Sequence, residues 1–402
     1  MNYFGWIDFS RRDRDLARDI IASLNQPGAV DELGIGVIRD GFADYFFPGT
    51  STIQTIAKYF FLVSYQVKEL TQTPQPNPEL ALRKMEQECS QKMWDSLSPE
   101  EQKKESEGIF GRTFFKKGSK DWVKRAPSEI YWGGIRKLGF LKCSNPLSLS
   151  EFLRISQNQE PVPVESDEDL KNGRSKVAGF EKSWHWNLPP VEVQEDWHRA
   201  PNVKLTPGEA QFFIERIKEE LPDSMFSFLI PFREHLPESF TALAELNLPD
   251  HLKKAWQLAY DFSEFIKPAQ VRFNVLLGNE NAKNEWENNF KNRLPEFAEL
   301  AASTNLLSAV FSLLKIGKHG QLCRFLENLQ EVYRKDDIEL FDRILHNREK
   351  QLKGANRMKL KQGNETPDPR YQEIWVGGFG LDYRYPDARR LLTDVVHAEE
   401  VQ

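Results

Sequence analysis

Basic side chains are concentrated between residues 111 and 143. This window has nine basic and two acidic residues, a local net charge of +7, whereas the formal net charge of the whole chain is −6. Ammonium and guanidinium groups bind phosphates, so such a reversal of charge is typical of a surface that contacts a polyanion. An ordinary solvated basic face is the alternative interpretation. The window predicts nucleic-acid contacts by Arg112, Lys116, Lys117, Lys120, Lys124, Arg125, Arg136 and Lys137.

Aromatic residues are interleaved with these bases, and such residues either stack on nucleobases or form a core. The helix expected after Pro127 buries Tyr131, Ile135 and Leu138 before Gly139 ends it. We therefore expect the aromatic side chains to build a small core, while the cations hold phosphates.

A second candidate contact is a polar stripe on a helix predicted from about residue 51 to residue 70. Ser51, Gln54, Thr55 and Lys58 follow the i, i+3, i+4, i+7 spacing of one helical face. Their hydroxyl, amide and ammonium groups are types that contact base edges and phosphates. The alternative is the polar side that any amphipathic helix presents to water.

A third feature is the basic stretch 343–361. It has seven basic residues and one acid, a local net charge of +6. Most basic runs at a helix end are simply solvated, so this stretch is the weaker candidate for a polyanion.

The motifs of common catalytic sites are absent from the sequence. The seven histidines form no HExxH pattern, the three cysteines lie far apart, and no GxxxxGK[ST] loop occurs. We therefore predict no catalytic residue, no metal and no cofactor, and we favour a protein that is not an enzyme. A nuclease built on dispersed carboxylates and a lysine stays open as an alternative, because such a site leaves little trace in a sequence.

Helices are the elements that would position these side chains. In the N-terminal region the pattern predicts helices at about 10–24, 31–47 and 51–70, the last two joined at Pro48-Gly49. Two helices joined by a tight turn, the second with a polar stripe, resemble a helix-turn-helix. The turn at residues 116–120 would then form the wing of a winged helix.

The C-terminal half has helical signals of its own. Thr206 and Glu209 fit a capping box, and apolar residues recur with helical spacing after them and again from Leu322 to Tyr333. The fold is therefore expected to be mainly α, with a helix-turn-helix or winged-helix-like N-terminal region and an all-helical C-terminal domain. The expected boundaries are 1–156 for the N-terminal region, 157–205 for a Pro-rich acidic linker, 206–361 for the helical domain and 362–402 for an extended tail with a terminal helix.

Composition places the chain among globular proteins. It has 402 residues, 40% of them hydrophobic and 28% charged, which is enough for two or more cores. The three cysteines show no paired spacing, the N-terminus is charged, and no apolar run approaches about 20 residues. These features predict a cytoplasmic protein without membrane contact.

Several short runs, in this order and spacing, resemble the bacterial domain-of-unknown-function family 6361. The most specific run is Pro48-Gly-Thr-Ser-Thr-Ile-Gln-Thr55, and the others are residues 6–10, 32–40, 122–132, 381–385 and 391–394. The resemblance implies a role in bacterial anti-phage defence, beside a helicase and a phospholipase-D-like nuclease, as in islands of the Azaca type. It implies no catalytic residue, because none is assigned in the family.

These features together predict a non-catalytic nucleic-acid-binding subunit, with DNA the expected ligand, that acts with a separate helicase and nuclease. The alternative is a protein-interaction adaptor for that helicase and nuclease, whose basic regions bind acidic surfaces of the partner.

Overall fold

The computed structural model describes residues 31–103, 108–119, 121–144, 147–157, 184–190, 196–199, 201–317, 320–360, 367–377 and 380–399. The helix predicted at 10–24, the side chain of Lys120 and most of the predicted acidic linker lie outside these residues.

The described chain is mainly helical, which confirms the expected fold class. Its α-helices are α1 (Gly36–Phe46), α2 (Lys58–Gln72), α3 (Pro78–Ser96), α4 (Arg112–Lys116), α5 (Pro127–Lys137), α6 (Leu149–Gln157), α7 (Pro207–Glu220), α8 (Met225–Leu229), α9 (Asp250–Leu276), α10 (Glu280–Asn289), α11 (Leu294–Ser303), α12 (Leu306–Leu313), α13 (Gln321–Lys335), α14 (Ile338–Lys353) and α15 (Tyr385–Glu399).

Short elements connect these helices. Strands β1 (Leu141–Cys143) and β2 (Trp184–Trp186) pair antiparallel, with Lys142 opposite His185. The second strand lies inside the segment predicted to be a linker. Short 3-10 helices span Glu101–Lys103, Ile230–His235, Thr241–Glu245 and Pro369–Tyr371.

Local sequence signals explain where the clearest helices begin. Thr206 precedes α7, its Oγ1 accepts a hydrogen bond from Glu209 N at 3.1 Å, and Glu209 Oε2 accepts one from Thr206 N at 2.9 Å. These reciprocal bonds satisfy N–H groups that the first turn of a helix leaves without partners. The predicted capping box is therefore confirmed.

The chain divides into two compact units, each built from two separate segments. The described residues of the first unit lie in 31–46 and 237–383, and those of the second lie in 47–236 and 384–399. The predicted helical domain 206–361 thus contributes residues to both units, and we describe the molecule by these units below.

In the first unit, the long helix α9 contacts α10, α11, α12 and α14, while α13 packs against α11 and α14. The apolar spacing predicted for α13 is confirmed, because Leu326, Leu329 and Val332 are all buried. Tyr333 of the same face lies between two aromatic rings, 5.5 Å from Phe265 and 5.2 Å from Phe341 by ring centroids. This face closes the core of the unit.

In the second unit, α2 is the innermost helix. Every residue from Lys58 to Val67 is buried, and α3, α5 and α6 pack around it. A helix that is buried on all sides needs neighbours on all sides. Phenylalanine rings supply much of this packing, with Phe61 and Phe140 at 5.1 Å between centroids. Helix α15 packs against α7 and the 3-10 helix Ile230–His235.

The predicted helix-turn-helix is wrong at its second helix. α2 begins at Lys58 rather than near Ser51, and α1 belongs to the first unit while α2 belongs to the second. The N–H group of Thr55 donates to the Tyr131 hydroxyl at 2.7 Å, and that of Ala57 donates to Asp394 Oδ2 at 2.7 Å. These partners, far away along the chain, hold residues 47–57 in turns.

The predicted wing is also not formed in the described residues. The turn after α4 contains Gly118 at φ +64°, and residues 121–126 beyond it adopt no strand to complete a hairpin. In the described tail, residues 367–377 and 380–384 contain one 3-10 helix and no strand, so the expected extended structure is not seen there. The terminal helix predicted after Pro386 is confirmed as α15.

Candidate nucleic-acid interface

Helix α5 organises the basic window within the second unit. Pro127 occupies its first turn, where the missing N–H would have no helical partner in any case. Tyr131 and Trp132 point into the core, with the Tyr131 ring 4.9 Å from Phe60 and Trp132 Nε1 donating to Leu147 O at 3.0 Å. These aromatic side chains form a core, as predicted, and the cations lie before and after this buried face.

Arg83 of α3 fixes the segment that leads into α5. Its guanidinium donates a hydrogen bond to Val123 O and lies over the Trp122 ring, 5.2 Å from the ring centroid. A cation over an indole face is a favourable contact, and a bond to a carbonyl restrains the backbone. Lys124 and Arg125, the next residues, are exposed. Sequence reasoning missed Arg83 because nothing in its local pattern links α3 to residues 122–124.

Lys116 and Lys117 lie at the end of α4, and both are exposed. The Phe115 ring lies 6.5 Å from Trp94, which connects α4 to α3. Gly118 follows in open space, since a side chain there would meet nothing within 4 Å. The turn therefore presents both lysines to solvent.

The two basic residues in the last turn of α5 differ in their exposure. Arg136 is half-buried and donates to Leu147 O at 2.7 Å, while Lys137 is exposed. Lys142 in β1 forms an ion pair with Glu220 at 2.7 Å. Only Lys137 of these three presents its charge without a described partner.

The eight predicted contact residues thus fall into three groups. Arg112 and Arg136 are half-buried, and Lys120 lies outside the described residues. The other five are exposed and make no ion pair with another described residue: Lys116, Lys117, Lys124, Arg125 and Lys137. We call these five residues the exposed cations.

The two acids of the window 111–143 are held by their own neighbours. Asp121 Oδ2 accepts a hydrogen bond from Ser119 Oγ at 3.2 Å. Glu129 Oε1 accepts one from Ala126 N at 3.4 Å and lies 3.9 Å from Arg83. Neither carboxylate neutralises an exposed cation directly.

The predicted polar stripe on α2 is wrong. Lys58 is fully buried and forms an ion pair with the equally buried Glu209 at 2.7 Å, while Tyr65 donates to the same carboxylate at 3.1 Å. Gln54 is buried in the loop before α2, and Ser51 and Thr55 are half-buried there. Lys58 and Gln54 are therefore structural, because neither side chain reaches the surface.

A buried carboxyl group lies beneath the start of α5. Glu86 of α3 is 2% exposed, and its Oε1 accepts a hydrogen bond from Ser128 N at 2.5 Å. Its Oε2 is buried and has no hydrogen-bond partner among the described residues. Burial raises the pKa of Glu86 to about 8, so the group is mainly neutral at pH 7.

The second basic stretch, 343–361, lies in the first unit, where three of its described bases are turned inward and three are exposed: Arg343, Lys350 and Arg357. Lys353 and Lys359 both bind Glu32, and Lys353 Nζ also lies 2.8 Å from Glu349. Arg348 is 3% exposed and donates to Leu33 O at 2.7 Å. We call Glu32, Glu349, Lys353 and Lys359 the buried ion network.

Metal-binding geometry is not present in the described part of the chain, where no three His, Cys, Asp or Glu side chains are placed to hold an ion. The carboxylates of the buried ion network accept bonds from lysines and backbone N–H groups instead. Of the described histidines, His198 is stacked on Trp197 at 3.7 Å between ring centroids and pairs with Glu69 at 2.8 Å.

Comparison with known families gives one match. The model of a family of unknown function, DUF6361, matches residues 1–292. The chain belongs to this family. No curated protein and no solved structure matches it.

The exposed cations of this DUF6361 protein all lie within the matched residues. Two of the runs that resemble the family are in contact there, because the Tyr131 hydroxyl of the run 122–132 accepts hydrogen bonds from Thr55 N, at the end of the run 48–55, and from Ile56 N, which follows it. The run 391–394 lies beyond the match, yet its Asp394 accepts the next N–H group, that of Ala57. No described helix is long and apolar enough to span a bilayer.

Proposed function

We propose that the second unit of this DUF6361 protein binds the sugar-phosphate backbone of a nucleic acid, with DNA the expected form. The observation that carries the proposal is the set of five exposed cations without an ion-pair partner among the described residues. Surface cations without acids beside them attract phosphates at long range and release counterions on binding.

The contacts would position a strand rather than select a sequence. Ammonium and guanidinium groups on a helix end and two flanking segments reach phosphates. Aromatic rings stack on bases in other proteins, but in the window 111–143 the described rings are either buried (Tyr131, Trp132 and Phe140) or half-buried (Phe114, Phe115 and Trp122). Arg83 supports this role from beneath by fixing residues 122–124.

The biological setting follows from the resemblance alone and is proposed on that basis. In bacterial anti-phage defence, a helicase and a phospholipase-D-like nuclease would act on nucleic acid that this protein holds. Co-purification with such partners that survives nuclease treatment would support the adaptor alternative, in which the exposed cations bind an acidic protein surface.

The test is fluorescence anisotropy with a labelled DNA duplex at several salt concentrations. Log affinity should fall linearly with log salt, with a slope of about −0.9 for each phosphate neutralised. The double substitution Lys116→Glu/Lys117→Glu should lower the affinity at low salt by about tenfold or more and flatten this slope.

The matched control is Lys253→Glu/Lys254→Glu, an adjacent pair of exposed lysines on α9 of the first unit. It makes the same change in net charge, so a similar loss in both variants would show only an effect of total charge. Unchanged affinity and slope in the Lys116→Glu/Lys117→Glu protein would overturn the proposal.

A further inference from the structure

The loop between Phe47 and Lys58 is held by hydrogen bonds within the loop and by several from distant parts of the chain. Gln54 closes it from within, since its Nε2 donates to Gly49 O at 3.1 Å and its Oε1 accepts from Ser51 N at 3.0 Å. Arg384 donates to Thr50 O at 3.0 Å, and Arg390 donates to Gln54 O at 2.7 Å.

The C-terminal end of the loop is fixed as firmly. The buried Tyr131 hydroxyl accepts bonds from Thr55 N and Ile56 N at 2.7 and 3.1 Å and donates to Ile56 O at 2.9 Å. Burial raises the pKa of Tyr131, so its hydroxyl keeps the proton that this last bond needs. Side chains from α5, from residue 384 and from α15 therefore define one loop conformation.

The tip of this fixed loop reaches solvent. Thr52 is exposed, and Ser51 and Ile53 on either side are half-buried. A loop whose backbone is ordered in advance loses little conformational entropy when its tip contacts a ligand. Its hydroxyl groups both donate and accept hydrogen bonds, as a contact with sugar and phosphate oxygens requires.

One cation contacts the chain before the tip, and another contacts the chain after it. A Cβ placed on Gly49 would lie 3.3 Å from Lys137 Cβ, so this exposed cation starts beside the loop. Gly134 of α5 packs so closely on Gly49 O that a side chain there would collide with it. After the tip, Gln54 O accepts a hydrogen bond from Arg390, whose side chain is 42% exposed although it also binds Asp387.

We propose that the tip Ser51-Thr52-Ile53, flanked by Lys137 and Arg390, is a second contact region for the sugar-phosphate backbone of the same nucleic acid. The proposal rests on the proposed function and extends it, because Lys137 joins the loop to the other exposed cations. Arg390 and Thr52 are new contact residues that the basic window 111–143 does not include, and Ser51 returns as a contact through a loop rather than a helical face.

The experiment introduces a repelling charge at the tip with Thr52→Glu. The side chain is exposed, so the melting temperature should not change, while the affinity for a labelled DNA duplex should fall about fivefold or more at low salt. The matched control is Thr73→Glu, an exposed threonine beyond the opposite end of α2, about 22 Å along the helix axis, and it should bind as wild type.

A double-mutant cycle then tests the link to the exposed cations. Thr52→Glu and Lys137→Gln should be non-additive, because neighbouring groups that contact the same phosphates are coupled, whereas Thr52→Glu and Lys116→Gln should be closer to additive.

The outcomes separate the two proposals. If wild-type protein binds no nucleic acid, both are wrong. If Lys116→Glu/Lys117→Glu weakens binding while Thr52→Glu binds as wild type with its fold intact, the loop proposal alone is wrong. Equal losses from Thr52→Glu and Thr73→Glu would also overturn it, since they would report total charge only.

Discussion

The windows 111–143 and 343–361 carry local net charges of +7 and +6, and they differ in where their cations meet acids. In the second unit, Lys116, Lys117 and Lys124 are exposed and form no ion pair with a described residue. In the first unit, Lys353 and Lys359 meet Glu32, which is 4% exposed. The five exposed cations lie in the first window, whereas in the second window Arg343, Lys350 and Arg357 are exposed and the other three described bases bind partners in the interior.

A local charge count therefore predicts the charge of a surface only when no acid from a distant part of the chain pairs with the basic residues of the window. Glu32 lies 321 residues before Lys353 in the chain, so nothing near the basic stretch reveals the pairing. Exposed ion pairs contribute about 0–1 kcal/mol, whereas breaking a buried pair costs about 3–5 kcal/mol. The exposed cations and the buried ion network should therefore respond in opposite ways to substitution: the first in binding, the second in stability.

The largest effect is expected from Glu349→Ala in the buried ion network. Glu349 is fully buried and accepts bonds from Lys353 Nζ at 2.8 Å and from the N–H groups of Lys359 and Leu360 at 2.9 Å each. Its loss leaves buried donors without partners, so the free energy of unfolding should fall by about 4 kcal/mol. Urea unfolding measures this, with Glu331→Ala in an exposed pair as the control that should show little change. A loss no greater than in the control would mean that the network contributes nothing.

The next largest loss of stability is expected at Lys58, which the sequence pattern predicted to be at the surface. Lys58→Met should lower the free energy of unfolding by about 3 kcal/mol, because the buried Glu209 then lacks its counter-ion. At temperatures where the variant is folded, the salt dependence of DNA binding should match wild type. Lys124→Met is the contrasting change, with stability unaltered and a flatter salt slope. A flatter slope in folded Lys58→Met would contradict the burial of this lysine.

Glu86 should make the stability of the second unit depend on pH. Burial raises its folded pKa to about 8 from the ordinary glutamate value of 4.5, so between these pH values the folded protein binds a proton that the unfolded chain releases. The free energy of unfolding therefore falls as pH rises through this range, by at most about 1.4 kcal/mol per pH unit.

Glu86→Gln keeps an acceptor for Ser128 N and removes the titration. The variant should be more stable than wild type by up to about 4 kcal/mol at pH 7.5, with the difference shrinking towards pH 4.5. Thermal melts between pH 5 and pH 8.5 measure this difference, and the exposed Glu129→Gln is the control. Parallel pH profiles for wild type and Glu86→Gln would show that Glu86 is ionised in the folded protein.

Elements specified by neighbouring residues could be predicted from the sequence. The capping box of α7 and the buried face of α13 depend on residues three or four positions apart, and both are confirmed. The start of α2 could not be predicted, because it depends on Tyr131, which is 76 residues from Thr55, and on Asp394, which is 337 residues from Ala57. Long-range hydrogen bonds compete there with a local helical pattern and prevail.

The residues of the candidate site can be predicted from the sequence to the same extent: local features can, and long-range contacts cannot. Exposed residues such as Lys116 and Lys124 keep the character that their local sequence indicates, since no other element covers them. Arg83 and Glu86 were not predicted, because both lie on α3 and contact residues 122–128, which are about 40 residues away along the chain. Which side chains are cationic is local information, whereas which of them stay exposed is decided by packing.

The smallest effect on stability should come with a clear effect on binding. Lys124→Gln/Arg125→Gln removes two exposed charges that make no ion pair with a described residue, so the free energy of unfolding should stay within about 0.5 kcal/mol of wild type. Each lost phosphate contact should reduce the magnitude of the salt slope by about 0.9. The opposite pattern is expected for Lys353→Gln in the buried ion network, which should lose stability and keep its slope. If both variants lost only stability, the window 111–143 would be a second structural network, and its positive charge would indicate no polyanion.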